Sequence, residues 1–204
     1  MHPLQCRCGT IQGSVTDTRG ANRAICYCRD CQAFAHFLGR EKEILDASGG
    51  SDVVQTAARN VRFTRGLESI ACMRLSQKGM LRWYADCCKT PIGNIMPSPK
   101  ISFVGLLHSC LENSGQDVER SFGPVRVWAF TRGAKGEPKP TGAGLPLAVT
   151  WFLSTALKER LTGGYKKTPF FDMLRGAPIV QPRVLSEAER ARIMASVDGS
   201  ALVS

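Results

Sequence analysis

The sequence predicts a mainly β unit followed by a C-terminal helical extension, α+β overall. Three observations carry this. Short apolar segments separated by glycine turns fill the first 110 residues, and no long helical periodicity occurs before residue 140. After a glycine- and proline-rich stretch, the apolar spacing changes to that of helices.

Strands are predicted over 11–15, 23–27, 53–56, 61–64, 70–75, 81–84 and 101–107. Turn signals stand between several of them, at Thr18-Arg19-Gly20, Ser48-Gly49-Gly50, Arg65-Gly66 and Gln77-Lys78-Gly79. Glycine reaches turn conformations closed to other residues, so this punctuation suits an antiparallel unit. Residues 133–146 hold four Gly and three Pro and read as a linker or long loop. Beyond it, Leu145, Val149, Phe152, Leu153, Ala156, Leu157 and Leu161 recur at helical spacing. Pro146 suits the first turn of that helix and Gly163-Gly164 its end. A second helix starts at Ser186, where Ser186 and Glu189 form a capping box behind Leu185, and Asp198-Gly199 ends it. The division is therefore 1–110 for the β unit and 111–204 for the extension packed on it. The tetrapeptide Phe-Thr-Arg-Gly occurs at 63–66 and 130–133. Its flanks do not match, so it reads as one turn sequence used twice rather than a duplicated hairpin.

The 204 residues include 43% hydrophobic and 22% charged side chains, with a mean hydropathy of −0.11, a composition that folds. The net charge of +10 divides into +6 over 1–110 and +4 over 111–204, and no Lys/Arg run exceeds Lys166-Lys167. Nucleic-acid binders concentrate their charge, so this spread argues against nucleic acid as a partner. The longest apolar run, 145–157, carries Thr150, Ser154 and Thr155. It falls short of the roughly 20 apolar residues that span a bilayer. Residues 1–6 lack a signal-peptide pattern. A cytoplasmic protein with no membrane partner is the expectation, with the oligomeric state left open.

The nine cysteines carry the most information. An odd number without an export signal argues for thiols, metal or catalysis over disulfides. Seven of them cluster. Cys26-Tyr-Cys28-Arg-Asp-Cys31 places three thiolates within six residues, able to converge on one zinc if the chain turns at Arg29-Asp30. Zinc takes four ligands, and three protein ligands leave one position open, as in catalytic sites. A redox role for Cys28 and Cys31 lacks the βαβ setting such motifs have. Cys6-Arg-Cys8 is half a metal site, and Cys87-Cys88 is the pair available to complete it. Adjacent residues of a strand face opposite ways, so both can ligate one metal only if the backbone turns there. Thr90-Pro91 permits that turn. His36, and His108 with Cys110, are secondary candidates for ligand or proton shuttle, for which structural roles serve as well. Cys72 reads as core, and Trp83-Tyr84 as packing.

These motifs resemble the glutathione-dependent formaldehyde-activating enzyme family, which includes centromere protein V. The matching pieces are Cys6-Arg-Cys8-Gly9, Cys26-Tyr-Cys28-Arg-Asp-Cys31-Gln32 and Tyr84-Ala-Asp-Cys87-Cys88-Lys-Thr90-Pro91, within residues 5–108. The resemblance implies a β-tent of antiparallel sheets and two zinc ions. It implies an active-site zinc on Cys26, Cys28 and Cys31, which would be the catalytic residues, and a structural zinc on Cys6, Cys8 and Cys88. The family's third motif is aromatic-C-x-x-C-G-T-P. Here Ala85 stands at its first cysteine and Lys89 at its glycine, so Cys87 is the candidate fourth ligand. The tail beyond about residue 110 has no family counterpart, which marks a divergent member.

The implied function is a carbon–sulfur lyase acting on a thiol–aldehyde adduct of the S-hydroxymethylglutathione type, with glutathione as the thiol. Arg23, Arg29 and Arg40 are candidates to attract its carboxylates. The alternative is a non-catalytic, zinc-stabilised interaction module.

Overall fold

A computed structural model describes residues 1–199. Along the chain, β1 (His2–Gln5), β2 (Gln12–Val15) and β3 (Asn22–Cys26) precede α1 (Arg29–Leu38) and the short α2 (Glu41–Ile44). Six strands follow: β4 (Ser51–Thr56), β5 (Val61–Arg65), β6 (Ile70–Arg74), β7 (Leu81–Ala85), β8 (Pro91–Ile95) and β9 (Val104–Leu107). The remainder comprises α3 (His108–Glu112), α4 (Val118–Phe122), β10 (Val127–Ala129), α5 (Leu145–Leu161), β11 (Phe171–Asp172), β12 (Ala177–Pro178), β13 (Arg183–Val184) and α6 (Glu187–Gly199). The architecture is mixed α+β.

A large sheet runs β10-β3-β4-β9-β8-β7-β6-β13, and a small antiparallel sheet runs β1-β2-β5. Interior pairs of the large sheet are antiparallel, while its two edges, β10 on β3 and β13 on β6, pair in parallel. Both edge strands come from beyond residue 110. Strands β7, β8 and β9 are buried throughout because both faces of the sheet are covered. On one face Leu4, Val15, Val61, Trp83, Leu106 and Phe170 form the core beneath the small sheet. On the other, Tyr84 and Met73 pack against Phe34 and Leu38 of α1 and Val197 of α6. Trp83 and Tyr84 point oppositely, as strand alternation requires, and both are packing residues.

Several elements differ from expectation. Helix α1 lies in the region where the sequence predicts only strands. Its buried positions, Gln32, Ala33, Phe34, Ala35 and Leu38, include a Gln and two small Ala, which blurs the apolar period. It is capped by Cys28 and stopped by Gly39, whose left-handed backbone donates to Ala35 and His36 carbonyls. The strands β1, β8 and β10 lie outside the segments the sequence predicts as strands. The first two contain Pro3 and Pro91, and the third is three residues long. Helix α5 spans the predicted residues but turns a different face inward. Leu153, Leu157 and Leu161 are exposed, whereas Ala148 and Glu159 are buried. Glu159 holds Arg59 at 2.9 Å, and Trp151 donates to the Gly20 carbonyl at 2.9 Å. These polar ties fix the rotation of the helix. Among the described residues, no helix is long and apolar enough to cross a membrane.

Candidate functional site

The seven clustered cysteines form two groups, and all nine thiols are free. The sulfurs within each group lie within 4.8 Å of one another. Zinc–sulfur bonds of about 2.3 Å in a tetrahedron separate the sulfurs by about 3.8 Å. Cys6–Cys8 at 3.6 Å, Cys6–Cys87 at 3.9 Å, Cys8–Cys87 at 3.3 Å, Cys87–Cys88 at 3.9 Å and Cys26–Cys31 at 3.6 Å all approach that spacing. All-sulfur donors suit a borderline-soft cation such as zinc. Among the described residues these two groups are the ones able to hold a metal ion.

The four-cysteine group joins two distant turns. Cys6 and Cys8 lie in the turn between β1 and β2, where Cys6 Sγ accepts from the Ile11 amide at 3.2 Å. Cys87 and Cys88 lie in the turn from β7 to β8. That turn is the one the adjacent cysteines required, and Lys89 adopts a left-handed backbone within it, with φ 56°. Thr90 ties the two turns together, its hydroxyl accepting from the Arg7 amide at 3.1 Å and meeting Cys88 Sγ at 3.2 Å. Ala85 ends β7 fully buried and stands outside the group.

The trio is local. Cys26 ends β3, Cys28 caps α1, and Cys31 sits in its first turn, with its amide 3.4 Å from Cys28 Sγ. Arg29-Asp30 is therefore the start of a helix rather than a tight loop. That start aims the positive end of the helix at the sulfurs, a setting that favours thiolate. Cys31 is held well below the ordinary thiol value by hydrogen bonds with the Cys26 and then the Cys28 thiol, helped by the nearby Arg82 guanidinium. Cys26 is pushed up by its bonds to Cys28 and Cys31.

Arg82 is the residue beside the trio that sequence reasoning missed. It lies on β7 almost fully buried, donates to Asn94 Oδ1 at 3.0 Å and stacks over Phe34 with its guanidinium 5.5 Å from the ring centre. The nearest carboxylate, Asp30, is 3.8 Å away and half exposed. Three thiolates on a dication would carry a net charge of −1, and Arg82 stands where it would oppose that charge. A cation inside the apolar run Leu81-Arg82-Trp83-Tyr84 was the available signal.

The loop after β10 closes over the trio. Gln32 Nε2 donates to the Tyr27 carbonyl at 3.0 Å and the Gly133 carbonyl at 2.9 Å. Gly133 must be glycine, because a Cβ there would lie 2.3 Å from the Tyr27 carbonyl oxygen. A Cβ on Gly66, the end of the first Phe-Thr-Arg-Gly, would likewise lie 2.3 Å from the Thr10 carbonyl oxygen. The two tetrapeptides fold differently, one ending β5 and the other forming a 3-10 turn, yet each glycine backs one cysteine loop. Phe130 holds a left-handed backbone, φ 58°, with its side chain mostly exposed. It stands between two openings. One is a cavity of about 160 Å³ against Cys26 and Cys31; the other is an open groove of about 780 Å³ that reaches Cys28, Arg29, Trp128 and Arg132.

The remaining candidates do not join these groups. His36 lies late in α1 beside a different groove, and His108 sits 3.3 Å from the Asp52 carbonyl oxygen. Cys110 is buried and donates to the Leu107 carbonyl, and Cys72 is core. Arg23 is committed to Asp52 at 2.6 Å, and Arg40 to Glu43 and the Cys88 carbonyl. Of the three arginines, Arg29 lines the groove at Cys28, and it pairs with Asp198 at 2.6 Å.

The model of one family, DUF6151, matches residues 1–180. The chain belongs to DUF6151, a family of unknown function. The match covers both cysteine groups of this DUF6151 chain and the helix α5. A crystal structure of a Rhodobacter sphaeroides protein is similar at 18% identity and a TM-score of 0.41, over 62% of this chain and 98% of that one. No curated protein matches.

Proposed function

We propose that this protein binds two zinc ions and joins or splits a thiol and an aldehyde at the trio, as the glutathione-dependent formaldehyde-activating enzymes it resembles do. The observation that carries this reading is a contrast. One group offers four sulfurs at tetrahedral spacing, a complete coordination shell. The other offers three, beside two openings. A closed shell serves structure, whereas an open position serves chemistry. Two details support the resemblance. Lys89 has the left-handed backbone that suits the glycine of the family motif, and Cys87 reaches Cys6 and Cys8 where Ala85 does not. On this reading the eight-stranded and three-stranded sheets correspond to the β-tent.

A zinc held by Cys26, Cys28 and Cys31 supplies Lewis acidity, keeping a thiol ionised or polarising a carbonyl near neutral pH. The chain does the rest. The start of α1 and Arg82 hold negative charge on the sulfurs. Arg29 and Arg132 flank the groove at Cys28 and suit the carboxylates of a glutathione-like thiol. In the joining direction one S–C bond forms, the carbonyl π bond opens, and the oxygen takes the proton the thiol gave up. Nothing is oxidised. Exchange NMR of glutathione with formaldehyde tests the reading. Zinc-dependent exchange above the buffer rate, abolished in Cys31→Ser, is expected. Buffer-rate exchange across several thiols and aldehydes overturns it in favour of the interaction module.

A further inference from the structure

The cavity behind the trio has a floor made by one row of the large sheet. Cross-strand register sets Asn22, Gln55, Gly105, Asn94 and Arg82 side by side on five neighbouring strands. The polar atoms of this row are partly spent on each other. Asn22 donates to Gln55 Oε1 at 2.9 Å, and Arg82 donates to Asn94 Oδ1 at 3.0 Å. Each inner amide has therefore committed its oxygen and keeps N–H donors to offer. Between them stands Gly105, where a Cβ would come within 2.7 Å of Val53 Cγ1. The gap it leaves, flanked by two amides, opens into the cavity.

The walls are apolar: Val53, Met80, Phe103, Val127, Leu145 and Ala148. Among the described residues no carboxylate, amine or guanidinium lines the cavity; Arg82 is turned to Asn94, the Phe34 ring and the Cys31 sulfur. The volume, about 160 Å³, matches the roughly 150 Å³ of an apolar cavity that takes up benzene. Formaldehyde, with two heavy atoms, leaves most of such a space unfilled, and apolar surface that could be buried stays in water. The wall from α5 matters here, because Leu145 and Ala148 lie in the extension that the motif resemblance does not cover.

We infer that the cavity binds a neutral aldehyde with an apolar group of about benzene size, its one polar oxygen met by the Gln55 and Asn94 amides. This rests on the thiol–aldehyde reading for the reaction, while the ligand class rests on the cavity itself. The substrate is then an aldehyde such as benzaldehyde, and the thiol approaches from the groove at Cys28. Bond making is unchanged: sulfur adds to the carbonyl carbon and the proton of the thiol passes to the oxygen.

The test uses the full-length, zinc-loaded chain with two readouts. In the first, exchange NMR compares benzaldehyde with formaldehyde, each against its own buffer rate with the same thiol. An enhancement at least tenfold larger for benzaldehyde is expected. In the second, benzyl alcohol, an unreactive neutral analogue, is titrated while the methyl signals of Met80, Val53 and Val127 are followed. Saturable shifts are expected with benzyl alcohol and none with benzoate. Ala148→Phe, which fills the cavity from α5, should abolish both the preference and the shifts while zinc content stays the same. Equal or larger enhancement for formaldehyde, together with no benzyl alcohol shifts, overturns the inference and leaves the reaction standing. Benzyl alcohol binding without turnover of any aldehyde overturns the reaction and leaves the cavity's ligand class standing.

Discussion

The two cysteine groups offer the same sulfur donors in two different arrangements. The four-cysteine group ties two turns some eighty residues apart in sequence, Cys6-Arg-Cys8 and Cys87-Cys88, and faces no cavity among those beside the trio. The trio ties nothing distant. It spans six residues at one strand–helix junction, and its surroundings are made by others: Arg82 from β7, Gly133 from the loop after β10, and α5 beyond the cavity. A metal in the first group would act as a staple, and a metal in the second would act as a reagent. The difference teaches that ligand count alone does not assign a role. What assigns it is whether the ligands are gathered across the fold or presented to an opening.

The largest expected effect separates the two groups by stability. Structural zinc contributes about 10–16 kcal/mol of binding free energy in small peptides. Cys6→Ser or Cys88→Ser should therefore lower the free energy of unfolding by several kcal/mol, or prevent folding, as read by urea titration. Cys28→Ser should halve the zinc content and leave the unfolding free energy within about 1–2 kcal/mol, because the serine hydroxyl can still cap α1. Comparable losses at both groups would break the comparison.

Next in size is the counter-charge. Removing a supporting partner of a metal site typically costs about 10–100-fold in affinity. Arg82→Met should weaken zinc binding at the trio by that factor in competition with a chelator, with the four-cysteine group unchanged. Equal weakening of both groups would mark Arg82 as a folding residue only.

Smaller again are the two glycines. Gly66→Ala and Gly133→Ala each force a Cβ to about 2.3 Å from a carbonyl oxygen, at a cost of roughly 1–3 kcal/mol. Gly66→Ala should disturb the four-cysteine group and Gly133→Ala the trio, distinguishable by the absorption of cobalt bound at each.

The smallest concerns pH. His2, on β1 beside the first group, is fully buried, with Nδ1 2.8 Å from Ser121 Oγ and Nε2 3.2 Å from the Leu111 carbonyl oxygen. Burial pushes its pKa below the usual 6.5. The unfolded chain then binds the proton first, so this contribution is complete above about pH 6.5 and is lost as pH falls below it. The slope is at most about 1.4 kcal/mol per pH unit, and His2→Gln should flatten it in urea titrations between pH 6.5 and 5.

Much of this division was legible in the sequence, for reasons that differ by residue. Cys26, Cys28 and Cys31 were readable because three thiols in six residues are a local pattern. The partnership of Cys6 and Cys8 with Cys87 and Cys88 was readable only as an unmatched half-site seeking a pair. Helix α6 announced itself through the Ser186–Glu189 box, whose bonds form as drawn. Helix α1 was hidden because glutamine and alanine face its core. The cavity floor was hidden altogether. Asn22, Gln55, Gly105, Asn94 and Arg82 become neighbours only through strand register, and no single segment carries that information. The rotation of α5 was hidden because its leucine spacing gives no hint that Glu159 is buried.

The central claim is that one metal shell is closed and the other open, and anomalous X-ray diffraction at the zinc edge tests it most directly. The account predicts two peaks per chain. One should lie among the sulfurs of Cys6, Cys8, Cys87 and Cys88, and the other should be held by Cys26, Cys28 and Cys31 with a non-protein fourth ligand. A protein atom in that fourth position, or no peak at the trio, would contradict it.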